Sequence, residues 1–131
     1  MKKTLKKTVL ALMASAFLMS AMPGEETITR NGNEVIVNTT AIAGDIKGYI
    51  GTTPMKIYIS KNKIEKIEFL PNQETPKYFF KVKKAMLNKW DGMTVNSAMK
   101  AKVDGVTGAT LSSDCVKNTL KRGLEYYKKN K

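Results

Sequence analysis

The 131-residue chain contains no histidine and a single cysteine, Cys115, which excludes imidazole metal sites, His-based catalytic triads and any intramolecular disulfide. Apolar residues make up 42% of it, enough for one compact domain. The formal net charge is +12, but the lysines are scattered, the only arginines are Arg30 and Arg122, and aromatics do not interleave with a basic stripe; nucleic-acid binding is therefore not expected.

Residues 1–22 read as a leader and not as part of the fold. Lys2, Lys3, Lys6 and Lys7 precede an apolar run from Val9 to Met19, and Ser20-Ala21 place small residues ahead of Pro23, the layout of a signal peptide. The run is short for a helix that crosses a bilayer. Met19 is large for the third position before a cut after Ala21, which leaves an uncleaved N-terminal anchor as the alternative. Either way residues 23–131 form the domain, expected in the periplasm or at the outer face of the cytoplasmic membrane. Setting aside the four leader lysines lowers +12 to about +8.

Thr27-Ile28-Thr29-Arg30 and Glu34-Val35-Ile36-Val37-Asn38 flank Asn31-Gly32, a dipeptide suited to a primed hairpin turn, so two edge strands are predicted. Ile46–Gly51 and Met55–Ser60 alternate apolar with polar residues, Lys61-Asn62-Lys63 turns the chain, and Ile64–Leu70 alternates again. A period of two predicts antiparallel strands with one buried face, in which Tyr49 is a half-buried strand tyrosine. Glu74-Thr75-Pro76 follows as a loop that starts a helix, proline being comfortable in the first turn. Phe79, Val82, Met86 and Trp90 recur every three or four residues, so Lys77–Trp90 is predicted as an amphipathic helix with a core-facing stripe. Asp91-Gly92 ends it, and Thr94–Lys102 is a short helix or linker.

Val103 leads into Asp104-Gly105-Val106-Thr107-Gly108-Ala109-Thr110-Leu111-Ser112-Ser113. Asp-Gly and Thr-Gly are turn dipeptides, and Ser112, Ser113 and Asp114 are good N-cap residues. Val116, Leu120, Leu124 and Tyr127 then lie on one helical face. Thr110 is thus predicted just upstream of a helix N-terminus, where backbone N–H groups and the helix dipole favour an anion. On this pattern alone the stretch reads first as a well-capped loop-to-helix junction. Cys115 reads as a small buried residue, with a reactive first-turn thiol as the alternative.

Three stretches occur in a fixed order between Gly48 and Tyr127: Gly48-Tyr49-x-Gly51, Glu74-Thr75-Pro76, and Asp104-x-x-Thr107-Gly108-Ala109-Thr110-x-Ser112. Together they resemble the FMN-binding domain family, which includes the periplasmic flavin-bearing subunits of sodium-pumping and Rnf-type redox complexes and small stand-alone proteins. The resemblance implies that Thr110 carries FMN through a phosphoester, attached from FAD by a magnesium-dependent flavin transferase. It implies that Asp104, Thr107, Gly108, Ala109 and Leu111, with Ser112 closing the motif, form the sequence the transferase recognises and the nearest flavin shell. Glu74 and Thr75 would lie beside the flavin, with Tyr49 stacked on its ring. Many relatives have glycine after the Glu-Thr-Pro proline, where this chain has Lys77.

The fold expected is α+β, a twisted antiparallel sheet packed by two main helices. The function expected from the resemblance is electron transfer, with a flavin transferase and a membrane or extracytoplasmic redox protein as partners and possible association with the membrane surface. No acid–base pair in the sequence points to a stand-alone enzyme. Noncovalent FMN binding, a basic interaction module without flavin, and a flavin-dependent reductase are the competing readings.

Overall fold

A computed structural model describes residues 26–73, 76–106 and 108–130. The leader expected at residues 1–22, together with Glu74, Thr75 and Thr107, lies outside the described residues. Strands β1 (Ile28–Asn31), β2 (Glu34–Asn38), β3 (Met55–Ser60) and β4 (Lys63–Phe69) are followed by helices α1 (Pro76–Met86), α2 (Val95–Lys100) and α3 (Thr110–Asn130). The strands form one antiparallel sheet in the order β1-β2-β3-β4, so the α+β expectation holds.

Both hairpins turn where backbone chemistry requires it. Asn31 pairs with Glu34, so the first turn is Gly32-Asn33, with Gly32 at φ +64°. In the second, Lys61 and Asn62 both have positive φ, 51° and 64°, as a type I′ turn needs. Only β1 of the first hairpin is an edge strand. β2 is interior, because Thr39 clamps the start of β3 onto its end: the Thr39 hydroxyl donates to Met55 O (3.3 Å) and accepts from Met55 N–H (3.0 Å).

β3 buries Met55, Ile57 and Ile59 in strict alternation. β4 does not alternate; Ile64 and Ile67 are both buried although three residues apart. A register shift explains this, since Tyr58 pairs with Lys66 while Ile59 pairs with Ile64. Glu65 is the extra residue of a β-bulge, which restores both isoleucines to the inner face.

Ile46–Gly51 is not a strand. The chain turns through Thr39–Ala43 and again where Gly48 N–H donates to Gly51 O at 2.8 Å, and Arg122 holds Ile42 O at 2.8 Å from α3. Backbone groups committed to these turns are withdrawn from any ladder.

α1 ends at Met86, short of Trp90. Beyond it, Gly92 N–H donates to Ile64 O (2.7 Å) and Ile64 N–H to Met93 O (2.8 Å), so the sheet draws the chain out of the helix while Trp90 stays buried. Thr94 then caps α2, accepting from Ser97 N–H at 3.1 Å. Among the described residues no helix is long and apolar enough to cross a membrane.

α3 lays Val116, Leu120, Gly123, Leu124 and Tyr127 toward the core. Gly123 is the closest approach. A Cβ there would stand 2.6 Å from Ile57 Cδ1 and 3.0 Å from Thr39 Cγ2, so the absence of a side chain lets the helix backbone rest on the sheet.

Candidate functional site

The site is built where an extended segment becomes α3. Thr110 is the first residue of that helix, and not upstream of it as its flanking cap residues implied. Ser112 and Ser113, predicted as N-caps, are instead buried within the first turn. The reason is tertiary. Ser113 Oγ donates to Ala109 O at 2.8 Å and accepts from Val106 N–H at 3.0 Å. The hydroxyl therefore clasps the loop at Val106 and Ala109.

Other contacts brace the same loop. Ala109 N–H donates to Val106 O at 2.9 Å. Lys117, two turns along α3, donates to Val103 O at 3.1 Å and pairs with Asp114 at 3.5 Å. Gly105 lies close against Ser113, whose Cβ would be 3.4 Å from an added Cβ. Gly108 has φ +84°, which an L side chain adopts only with strain, and the space on its Cβ side is open to 4 Å.

The outcome is a fixed loop with an accessible crest. Ala109 is buried in the core cluster, which anchors the junction, while Gly108, Thr110 and Asp104 are exposed. Leu111 is 62% exposed, an apolar side chain presented to solvent beside the Thr110 hydroxyl. The N–H groups of Thr110 and Leu111 precede the i→i−4 ladder of α3, whose positive dipole end lies here. An accessible hydroxyl, open space beside glycine, an apolar neighbour and a helix N-terminus are features that a phosphate-bearing aromatic cofactor would fit.

Tyr49 stands in the Gly48–Gly51 turn and not in a strand, and it is 60% exposed, which corrects the half-buried strand reading; Ile50 beside it is also exposed. The structure ties the start of this segment to α3: Cys115 Sγ lies 3.6 Å from Ile46 O and 3.5 Å from Thr53 Oγ1. Cys115 is buried, as expected of a free cysteine. Pro76 is the first residue of α1, where proline is expected, in a first helical turn.

Two contributors were not foreseen, Ser113 as a clasp and Lys117 as a brace. Ser113 had the one available signal, since serine inside a first turn often bonds back to the carbonyl four residues earlier. A groove beside α3, floored by Trp90, Met99 and Leu120 and edged by Lys117 and Lys121, has a volume of about 190 Å³. That is smaller than cavities that enclose ligands of cofactor size.

A family profile described as FMN-binding domain matches residues 48–125, more than half of the chain. No curated protein and no solved structure matches.

Proposed function

The chain belongs to the FMN-binding domain family and is a flavin-binding module; on that premise we propose that it is an exported flavoprotein that carries FMN on Thr110 through a phosphoester and works as an electron-transfer module. The observation that carries this reading is the exposed threonine at the first position of α3, held by a loop whose backbone is bonded to Ser113 and Lys117.

FMN supplies one- and two-electron chemistry when bound. The chain's part is to present and hold. Threonine oxygen is a weak nucleophile, so activation falls to a separate magnesium-dependent transferase that uses FAD. The Thr110 Oγ–phosphorus bond forms, the pyrophosphate bond breaks, AMP leaves, and the hydroxyl proton passes to a base of the transferase. Gly108 leaves room for that enzyme. The N-terminal dipole of α3 then favours the remaining phosphodiester charge. Leu111 and Tyr49 offer exposed apolar and aromatic surface to the ring, and the family resemblance adds Glu74, Thr75, Thr107 and Asp104 to its surroundings.

Thr110→Ala tests the reading. Wild-type protein co-produced with a transferase should fluoresce as a flavoprotein in a denaturing gel and carry one FMN adduct by mass, and the variant should do neither while melting normally. Adduct retained in the variant would place the attachment elsewhere. A yellow native protein that loses all its colour on denaturation would mark noncovalent binding.

A further inference from the structure

α1 has two faces of different chemistry. Val82 and Met86 are buried, and Phe79 meets Phe69 edge-on with ring centroids 5.4 Å apart. Lys77, Phe80, Lys81 and Lys84, spaced i, i+3, i+4 and i+7, share the opposite face. All four are exposed, Phe80 by 65%. The sequence of α1, Pro-Lys-Tyr-Phe-Phe-Lys-Val-Lys-Lys-Ala-Met, contains no acidic residue. The outer face of the sheet differs. There Tyr58 donates to Glu68 at 2.8 Å and Lys66 sits 4.5 Å over the Tyr58 ring, with Glu34 and Glu65 adjacent. The sheet surface mixes signs, whereas α1 is purely cationic around an apolar centre.

We propose that this face of α1 is a peripheral membrane-binding surface, which sets Lys77, Lys81 and Lys84 on anionic lipid headgroups and inserts Phe80 into the interface between headgroups and acyl chains. Charge complementarity selects an anionic partner. Between a bilayer and an acidic protein, the side-chain pattern favours the bilayer. Of the described side chains on this face, a single bulky aromatic stands among three long lysine stems. A layer that is charged above and apolar beneath accepts such a side chain at any lateral position. Lysine stems reach up to the headgroups from a helix lying flat. The surface does not depend on the flavin reading, and it binds without spanning.

Flotation of the full chain with phosphatidylcholine vesicles, with and without roughly 30% phosphatidylglycerol, tests this. Binding is expected only with the anionic lipid, and to fall as salt is raised. Lys77→Gln, Lys81→Gln and Lys84→Gln together should weaken it on the order of a hundredfold. Phe80→Ser alone should weaken it about tenfold. Lys128→Gln with Lys129→Gln, at the far end of α3, should leave it unchanged. The leader is the same in every variant, so any differences report α1, and thermal melting confirms that the variants fold. Equal binding by the triple variant and wild type overturns the proposal, as does equal binding to pure phosphatidylcholine. Retention on immobilised polyglutamate that requires α1, without vesicle binding, would assign the face to an acidic protein and likewise overturn it.

Discussion

Gly123→Ala sets two effects of opposite sign against each other. Alanine in a helix interior is favoured over glycine by roughly 1 kcal/mol, so an exposed site would be stabilised. At position 123 the new methyl would stand 2.6 Å from Ile57 Cδ1 and 3.0 Å from Thr39 Cγ2, well inside ordinary carbon contact. Ile57 and Thr39 are both fully buried. Thr39 cannot swing its methyl aside without releasing its two bonds to Met55. Relief must come from an off-rotamer Ile57 or from lifting α3, and overpacking of this kind costs about 1–3 kcal/mol. The sheet contact should win, with a net loss of about 1 kcal/mol and a melting temperature lower by roughly 4–8 °C. Urea denaturation should show a lower midpoint with an unchanged slope. Ile57→Val removes the clashing Cδ1. It should cost about 0.5–1.5 kcal/mol in wild type and distinctly less in the alanine background, a coupling that a double-mutant cycle reads directly. An alanine variant as stable as wild type, with additive energies in the cycle, would refute the close-approach argument.

Ser113→Ala should cost about 1–3 kcal/mol because Val106 N–H loses its acceptor in a partly buried loop. Amide exchange at Val106 should accelerate, and the flavin-attachment yield should fall with Thr110 intact; an unchanged exchange rate would show that the clasp is dispensable. Arg122 pairs with Asp45 at 2.8 Å and holds its carboxyl below the ordinary 3.8. A carboxyl depressed in the folded state contributes stability above its unfolded pKa and loses it as pH falls through the folded value. Asp45→Asn should therefore flatten the stability profile in the acid limb below about pH 4 and leave the limb above it parallel to wild type; urea midpoints across that range measure it, and an unaltered acid limb would sink the assignment. Both partners are exposed to solvent, so raising the salt concentration should shrink the effect.

What the sequence makes legible is what short-range chemistry decides. Gly32 marks the first turn because glycine accepts positive φ, though the turn falls at Gly32-Asn33, one residue later than the Asn31-Gly32 dipeptide suggests. The polar Lys61-Asn62-Lys63 stretch between alternating runs marks the second, and β3 reads as a strand because its alternation is unbroken. Val116, Leu120, Leu124 and Tyr127 place the buried face of α3 from spacing alone. The errors arise where distant groups compete for the backbone. Ile46–Gly51 has the alternation of a strand, but Ile46 N–H goes back to Ala43 O and Gly48 N–H to Gly51 O. α1 stops short of Trp90 because Ile64 offers both an acceptor and a donor to Gly92 and Met93. At the candidate site Ser112 and Ser113 look like caps to any local rule. Only the fold shows Ser113 bonded to Val106, which moves the helix start back to Thr110.

The bare backbone at Gly123 has a mechanical consequence for the FMN proposed at Thr110. Gly123 lies thirteen positions along α3 from Thr110, about 20 Å of helix, and at that point the helix backbone is seated on the sheet with no side chain of its own in between. Such a seat leaves little room for α3 to roll or slide. A group carried at the far end would tumble with the body of the domain, and its own play would be confined to the few single bonds beyond the threonine oxygen.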